Sequence, residues 1–298
     1  MKPVRSNFFA GPYIDRRTEA REASDWLAAA LADPHTQFLM CRGTDMPLLA
    51  GEPRIGFVPG RHPAVAAAEP DRCVLLGWFR ERRCVLLELD PAAEPLALPA
   101  DAQFHELRAL SPQLGADEAG LLAYARALVV WRSRQRHCGI CGARTAPGRA
   151  GHSLRCTNGQ CAQEYFPRLD PAIIVLVTDG ERALLGRQAA WPPGRYSTIA
   201  GFVEPGESLE DAVGREVLEE TGIRVLDCRY DSSQPWPFPA SLMIGFRALA
   251  APGAVCVGGE LEDARWFTPE ELRSDGMTLP PAHSISRRLI EAWLAECP

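Results

Sequence analysis

The 298-residue sequence has no run of about 18 apolar residues, the length a helix needs to cross a bilayer. Its opening residues, Met1 to Arg17, hold no apolar stretch of the kind that directs export. No membrane partner is therefore expected, and a cytoplasmic location is. No internal repeat or low-complexity tract is evident. Basic residues do not dominate either: 32 Lys and Arg stand against 38 Asp and Glu, a net charge of −6. That balance disfavours broad non-specific binding to nucleic acid and leaves a local site open. With 46% hydrophobic and 23% charged residues, the composition is that of a soluble globular protein. The length suggests about two domains.

Of the 10 cysteines, Cys41, Cys73, Cys84, Cys228, Cys256 and Cys297 are scattered and, without an export signal, read as reduced thiols. The other four are clustered. Cys138-x2-Cys141 is followed, after fourteen residues, by Cys156-x4-Cys161. Two knuckles at that separation predict a structural zinc ribbon, one zinc per chain. Four thiolates close a tetrahedron and leave no position for a reacting water. The second knuckle has four intervening residues where many ribbons have two. A redox disulfide is the alternative, but redox work does not need a second pair at ribbon distance.

The most informative stretch runs from Gly201 to Ile223. Glu207 follows Gly201 after five residues, and Arg215-Glu216-Val217-Leu218-Glu219-Glu220-Thr221-Gly222-Ile223 follows Glu207 after seven. Ser208 is a good N-cap with Asp211 as a weaker capping-box partner, and Gly222 suits the position just past a helix end. Turned at about 100° per residue, the helix sets Leu209, Val213 and Val217 in one apolar stripe. Glu216 and Glu220 project close to that stripe, and Glu219 lies on its flank. Crowding and desolvating three carboxylates is costly unless a cation neutralises them. Oxygen ligands favour Mg²⁺ or Mn²⁺ over Zn²⁺. Arg215, four residues before Glu219, is placed to hold it. A solvated acidic surface helix would put these groups elsewhere on the wheel.

Residues 1 to about 115 read as a small β-rich domain. Phe38–Cys41 is a strand candidate, and Cys73–Phe79 with Cys84–Leu89 fits a buried hairpin. Pro- and Ala-rich connections such as 91–95 separate the strands. Asp117–Arg134 reads as a helix with acids at its start and bases at its end. Its basic end, Arg132, Arg134 and Arg136, suits either the helix dipole or a phosphate chain. Pro171–Thr178 and Arg182–Arg187 form a strand–turn–strand unit, and Ser197–Ile199 leads as a strand into Gly201. Leu242–Phe246 and Ala264–Phe267 are further strands. A short helix follows Pro269, and Ile285–Leu294 is an amphipathic helix. In Ser233-Gln-Pro-Trp-Pro-Phe-Pro-Ala-Ser241, prolines at alternate positions predict a stiff extended loop holding Gln234, Trp236, Phe238 and Ser241 ready for a flat ligand.

The Gly201–Ile223 spacing matches every fixed position of the Nudix box. With the four-cysteine ribbon before it and SQPWPFPxS after it, the chain resembles the NADH pyrophosphatase and NAD-capped RNA hydrolase branch of the Nudix hydrolases, strongly over residues 115–295. The resemblance implies an α/β (α+β) fold. A degenerate Nudix-like domain with a linker helix would occupy 1–134, the ribbon 135–167, and a catalytic αβα sandwich 168–298. It implies metal-dependent hydrolysis of NAD(H) to nicotinamide mononucleotide and AMP, together with removal of NAD caps from RNA 5′ ends, in a homodimer. The catalytic metal would rest on Glu216, Glu220, Glu260 and the Ala200 carbonyl. Glu219 or Glu220 would orient or deprotonate water. Carried over by motif, Gln234, Pro235, Trp236, Pro237, Phe238, Pro239, Ala240 and Ser241 line the substrate site, with Phe202 stacking on a base. Phe166, Ser286 and Arg108 occupy further substrate positions. Two other readings compete: a Nudix enzyme for ADP-ribose or a dinucleoside polyphosphate, and a non-enzymatic RNA-binding module. The Gln234–Ser241 stretch argues against the first, and the clustered glutamates against the second.

Overall fold

The computed structural model describes residues 6–49, 53–90, 98, 102–274 and 276–297. The connection at 91–95 lies outside them. The chain divides into two compact units: residues 9–168 with 237–240, and residues 6–8, 169–236 and 241–297. Among the described residues no helix is long and apolar enough to cross a membrane.

In the first unit, β1 (Gln37–Cys41), β2 (Cys73–Phe79) and β3 (Arg82–Glu88) form the centre of a five-stranded sheet. The expected hairpin is present: β2 and β3 pair antiparallel, and β1 lies parallel to β3. Both hairpin strands are apolar on successive residues because both faces are covered. Phe38, Met40, Leu75, Val85 and Leu87 pack into one cluster with Ala30, Val58 and Val65.

Helix α1 (Ala116–Arg134) buries Leu121, Leu122, Leu128, Val129 and Trp131. Arg132 stands in the last turn of α1, as the helix dipole favours, and also has a packing role. Its guanidinium is buried and bonds to the Glu88 carboxylate and the Asp71 carbonyl, tying α1 to β3.

The ribbon follows as three short strands, β4 (Thr145–Gly148), β5 (Ser153–Cys156) and β6 (Glu164–Tyr165), with β5 in the middle. The sulfurs of Cys138, Cys141, Cys156 and Cys161 all lie within 4.8 Å of one another. The Cys138–Cys161 separation is 3.7 Å and the Cys141–Cys156 separation 3.4 Å. A disulfide needs about 2.05 Å. Four sulfurs held about 2.3 Å from a shared zinc stand about 3.8 Å apart. The four intervening residues of the second knuckle are thus no obstacle to a tetrahedral site.

The second unit is a sandwich. Its sheet runs β10 (Val225–Trp236), β11 (Ser241–Ala250), β7 (Asp170–Thr178), β8 (Ala183–Arg187), β12 (Asp263–Phe267), and β9 (Ile199–Phe202) pairs with the first half of β7. β7 and β11 are parallel and central, so β7 is apolar on both faces. Ile173, Val175 and Val177 pack with Val213 and Val217 of α2 (Leu209–Thr221). Ile174 and Leu176 face Ile285, Leu289, Ile290 and Trp293 of α4 (Ile285–Leu294), which follows the short α3 (Pro269–Arg273).

Two local expectations change. The strand expected over Ser197–Ile199 begins only at Ile199, and Ser197 forms a single antiparallel bridge with Gly186 instead. The stiff loop expected over 233–241 is a hairpin, with β10 running through Trp236 and a turn over 237–240. β10 is an edge strand, where the amide missing from Pro235 costs no ladder bond.

Candidate active site

Helix α2 starts at a complete capping box: the Ser208 hydroxyl accepts from the Asp211 amide at 3.1 Å, and the Asp211 carboxylate accepts from the Ser208 amide at 3.0 Å. It stops at Gly222, whose φ of 69° a side chain would oppose. Between these ends the helix places its acids as the wheel predicts. Glu220 is buried, Glu216 is half-buried and Glu219 is exposed, as is Glu210 on another face.

Arg215 organises the acids. Its guanidinium donates to both Glu207 oxygens (2.7 and 3.0 Å), to Glu216 at 2.9 Å, to Glu219 at 3.2 Å and to the Phe202 carbonyl at 2.9 Å. The bond to Arg215 holds the Glu207 carboxyl below its ordinary range. Glu207 stands at the second fixed position of the Gly201–Ile223 spacing. Only the fold shows it gripping the far side of the same guanidinium.

Among the described residues no such cation bonds to Glu220. Burial first, and then the charges of Glu216, Glu260 and Glu219, push its carboxyl up to about 7. Glu260 approaches because its loop is bolted to the end of α2: the Cys256 amide donates to the Thr221 carbonyl and the Gly258 amide to that of Glu220, each at 2.8 Å. A Cβ on Gly258 would lie 2.3 Å from the Glu219 carbonyl oxygen, so this close passage requires glycine. The signal for it in the sequence is the pair Gly258-Gly259.

Gly201 is required for a similar reason. A Cβ there would stand 1.9 Å from the Glu216 carboxylate, which lies directly over the backbone of β9. Ala200 precedes it, exposed and in register with Ile174. An acid raised by burial and by three neighbouring acids, beside a carboxylate laid over bare backbone, makes a set of oxygen donors. The residues present fit a hard divalent ion. Among the described residues the carboxylates do not draw together as tightly as the four cysteines.

The remaining expected substrate residues fall into four groups. Phe202 is exposed, at 59% of its full accessible surface, while Arg215 clamps its carbonyl. Trp236 lies nearly parallel to His283 (14° between planes, centroids 6.3 Å apart), with Pro235 half-buried beside it and Ser241 buried at the start of β11. Gln234 and Ser286 are buried with their polar groups in use. The Gln234 nitrogen donates to the carbonyls of Phe8 (3.0 Å) and His283 (2.8 Å), and its oxygen accepts from the Ile285 amide at 2.8 Å. The Ser286 hydroxyl meets those of Thr198 at 2.8 Å and Ser197 at 2.9 Å. In the first unit, the Phe238 ring lies under Arg108 (4.2 Å) and Arg126 (4.9 Å), and Arg126 also bonds to the Pro237 carbonyl. Pro239 is exposed and Ala240 buried there, and Phe166 is exposed with Arg149 5.5 Å from its ring.

Residues 168–293 match the NUDIX domain, and residues 35–131 match the NADH pyrophosphatase-like rudimentary NUDIX domain. The chain is 34% identical over 341 aligned positions to the human NAD-capped RNA hydrolase NUDT12, covering 97% of this chain and 73% of that one. The chain belongs to the Nudix hydrolase family. It is also 42% identical over 249 positions to the NAD-capped RNA hydrolase NudC of Mycobacterium tuberculosis, covering 78% of each. The expected order for a Nudix hydrolase of this branch, a degenerate Nudix-like domain before a catalytic one, is therefore present.

Proposed function

We propose that this protein hydrolyses the pyrophosphate bridge of NAD(H), free or as the cap of an RNA 5′ end, releasing nicotinamide mononucleotide and leaving AMP or a 5′-phosphorylated RNA. The observation that supports it most is the Gly201–Glu216 passage beside the raised Glu220, on a chain whose similar proteins are named for NAD-capped RNA. Glu216, Glu220, Glu260 and the Ala200 carbonyl would hold Mg²⁺ or Mn²⁺, which neutralises phosphate charge and lowers the pKa of a bound water. The water oxygen forms a new P–O bond, the anhydride P–O bond breaks, and the departing phosphate keeps the electron pair. Glu219 or Glu220 receives the proton. Arg215 keeps Glu216 and Glu219 aimed, and Phe202 with Trp236 orients the two nucleoside halves. Pro235 and Ser241, the turn at Pro237, Phe238, Pro239 and Ala240, and Arg108 and Phe166 complete the proposed substrate contacts.

The decisive assay offers NADH, ADP-ribose and NAD-capped RNA, each with and without Mg²⁺ or Mn²⁺. ADP-ribose lacks the nicotinamide ring and is expected to be the poorer substrate. A kcat/KM for ADP-ribose equal to that for NADH would overturn the reading. One base–aromatic stack is worth about 1–3 kcal/mol, so Phe202→Ala should lower kcat/KM for NADH about 5- to 150-fold. Metal affinity, read by calorimetry, should not change.

The four cysteines would bind one structural zinc. The Tyr165 hydroxyl stands 3.1 Å from the Cys138 sulfur and accepts from the Gly139 amide at 2.9 Å. Its bond is the main cause that pulls the Cys138 thiol down toward the thiolate a metal needs. Tyr165→Phe should weaken zinc retention against a chelator by about 10- to 100-fold, the usual cost of removing a group that orients a metal ligand. Folded protein purified without zinc would refute the ribbon assignment. A homodimer, to be read by sedimentation, and a reducing cytoplasmic location complete the proposal.

A further inference from the structure

Gln234 and Ser286 were both expected to touch substrate, yet both are buried, at 0% and 3% of their accessible surface. Both donors of the Gln234 amide are taken, and neither donor faces a ligand. The contacts they make form a continuous path. Trp236 is two residues from Gln234, and its ring lies along His283. Gln234 grips the carbonyl of that same His283 and the amide of Ile285, the first residue of α4. The next residue, Ser286, accepts from the Thr198 amide at 3.2 Å and meets its hydroxyl. Two residues further on is Ala200. Resting on the function proposed above, we propose that Gln234 and Ser286 are positioning residues: a buried polar relay that sets the Trp236 substrate wall in register with the Ala200–Gly201 end of β9.

The chemistry suits that task. A buried carboxamide with three satisfied contacts has one low-energy orientation, because turning it presents oxygen to two carbonyls. Apolar packing alone would let the hairpin and helix α4 slide by small steps. Directional bonds in a buried setting do not. Asn7 adds to the same anchor, donating to the Ser233 carbonyl at 2.8 Å and accepting from Arg288 of α4 at 2.9 Å.

A residue acting through Trp236 differs from one touching substrate in how mutations combine. Gln234→Met keeps the volume and removes all three bonds. It should lower kcat/KM for NADH about tenfold or more, mostly through KM, since it misplaces a binding wall and leaves the carboxylates alone. In a Trp236→Ala background the same change should cost less than about twofold. Additive losses would mean direct substrate contact and overturn the relay. Should Gln234→Met fail to fold, Gln234→Asn, whose shorter carboxamide cannot reach all three partners, takes its place in the cycle. A second readout needs no activity. In Ser286→Ala, amide hydrogen exchange should quicken at Thr198 and also at the Trp236–Ser241 hairpin. An unchanged hairpin would show that the two ends are not linked. Wild-type protein inert toward NADH would defeat the proposed function instead, and the exchange experiment would still decide the relay.

Discussion

Glu220→Gln is expected to lower kcat for NADH by about 10²- to 10³-fold, the scale of losing one preorganised electrostatic group. The side chain keeps its shape, so the loss reports charge. Glu220 is buried among Glu216, Glu260 and Glu219 and has the least reason to be there without a cation. Glu210→Gln, on an exposed face of the same helix, should change kcat by less than about twofold, as surface changes usually do. Equal losses in both variants would mean that α2 does not present its acids as described. Stability should move the other way. In the folded state Glu220 titrates at about 7 rather than at its ordinary 4.5. A carboxyl whose folded pKa is raised destabilises the fold once pH passes the unfolded value, and the penalty is complete above the folded one. In the presence of a chelator, Glu220→Gln should therefore melt at a higher temperature than the parent at pH 8. The gap should open between pH 4.5 and 7 and close below it. A melting temperature lower than the parent's at pH 8 would contradict the burial argument.

Gly201→Ala should be nearly as damaging, through geometry alone. The added methyl would stand 1.9 Å from the Glu216 carboxylate, far inside van der Waals contact. Either that carboxylate swings off β9 or the strand moves, and both displace the Ala200 carbonyl from Glu216. A misplacement of about 1 Å in a catalytic group costs about 10²-fold. We expect a kcat loss of that size, together with weaker binding of Mn²⁺ measured by paramagnetic relaxation. Gly206→Ala is the control: its φ of 94° is positive, as that of Gly201 is not, and nothing lies within 4 Å of its Cβ. Its cost should be backbone strain, read as a lower melting temperature with Mn²⁺ affinity retained. Unchanged Mn²⁺ affinity in Gly201→Ala would mean that Glu216 has no part in the metal site.

Local chemistry was legible in the sequence by itself. Ser208 and Gly222 mark the ends of α2, its 3.6-residue period puts Glu220 inward, and the Cys138–Cys161 spacings assemble four sulfurs. Each depends on residues close along the chain, where helix geometry or a tight knuckle converts spacing directly into distance. The hairpin of β2 and β3 was legible for the same reason. What only the tertiary structure decided involves partners far apart in sequence. That Gln234 turns to the Phe8 and His283 carbonyls depends on where residues 226 and 49 positions away come to rest. The burial of Ser286 against Thr198 spans 88 residues. Glu207 and Glu219 were visible as acids, but that one guanidinium holds both, with Glu216 between them, follows from how the turn before α2 folds back. A motif fixes which residues are present near a site. Whether a polar side chain faces the ligand or braces the wall behind it depends on which backbone groups it must satisfy, and those are supplied by the rest of the fold.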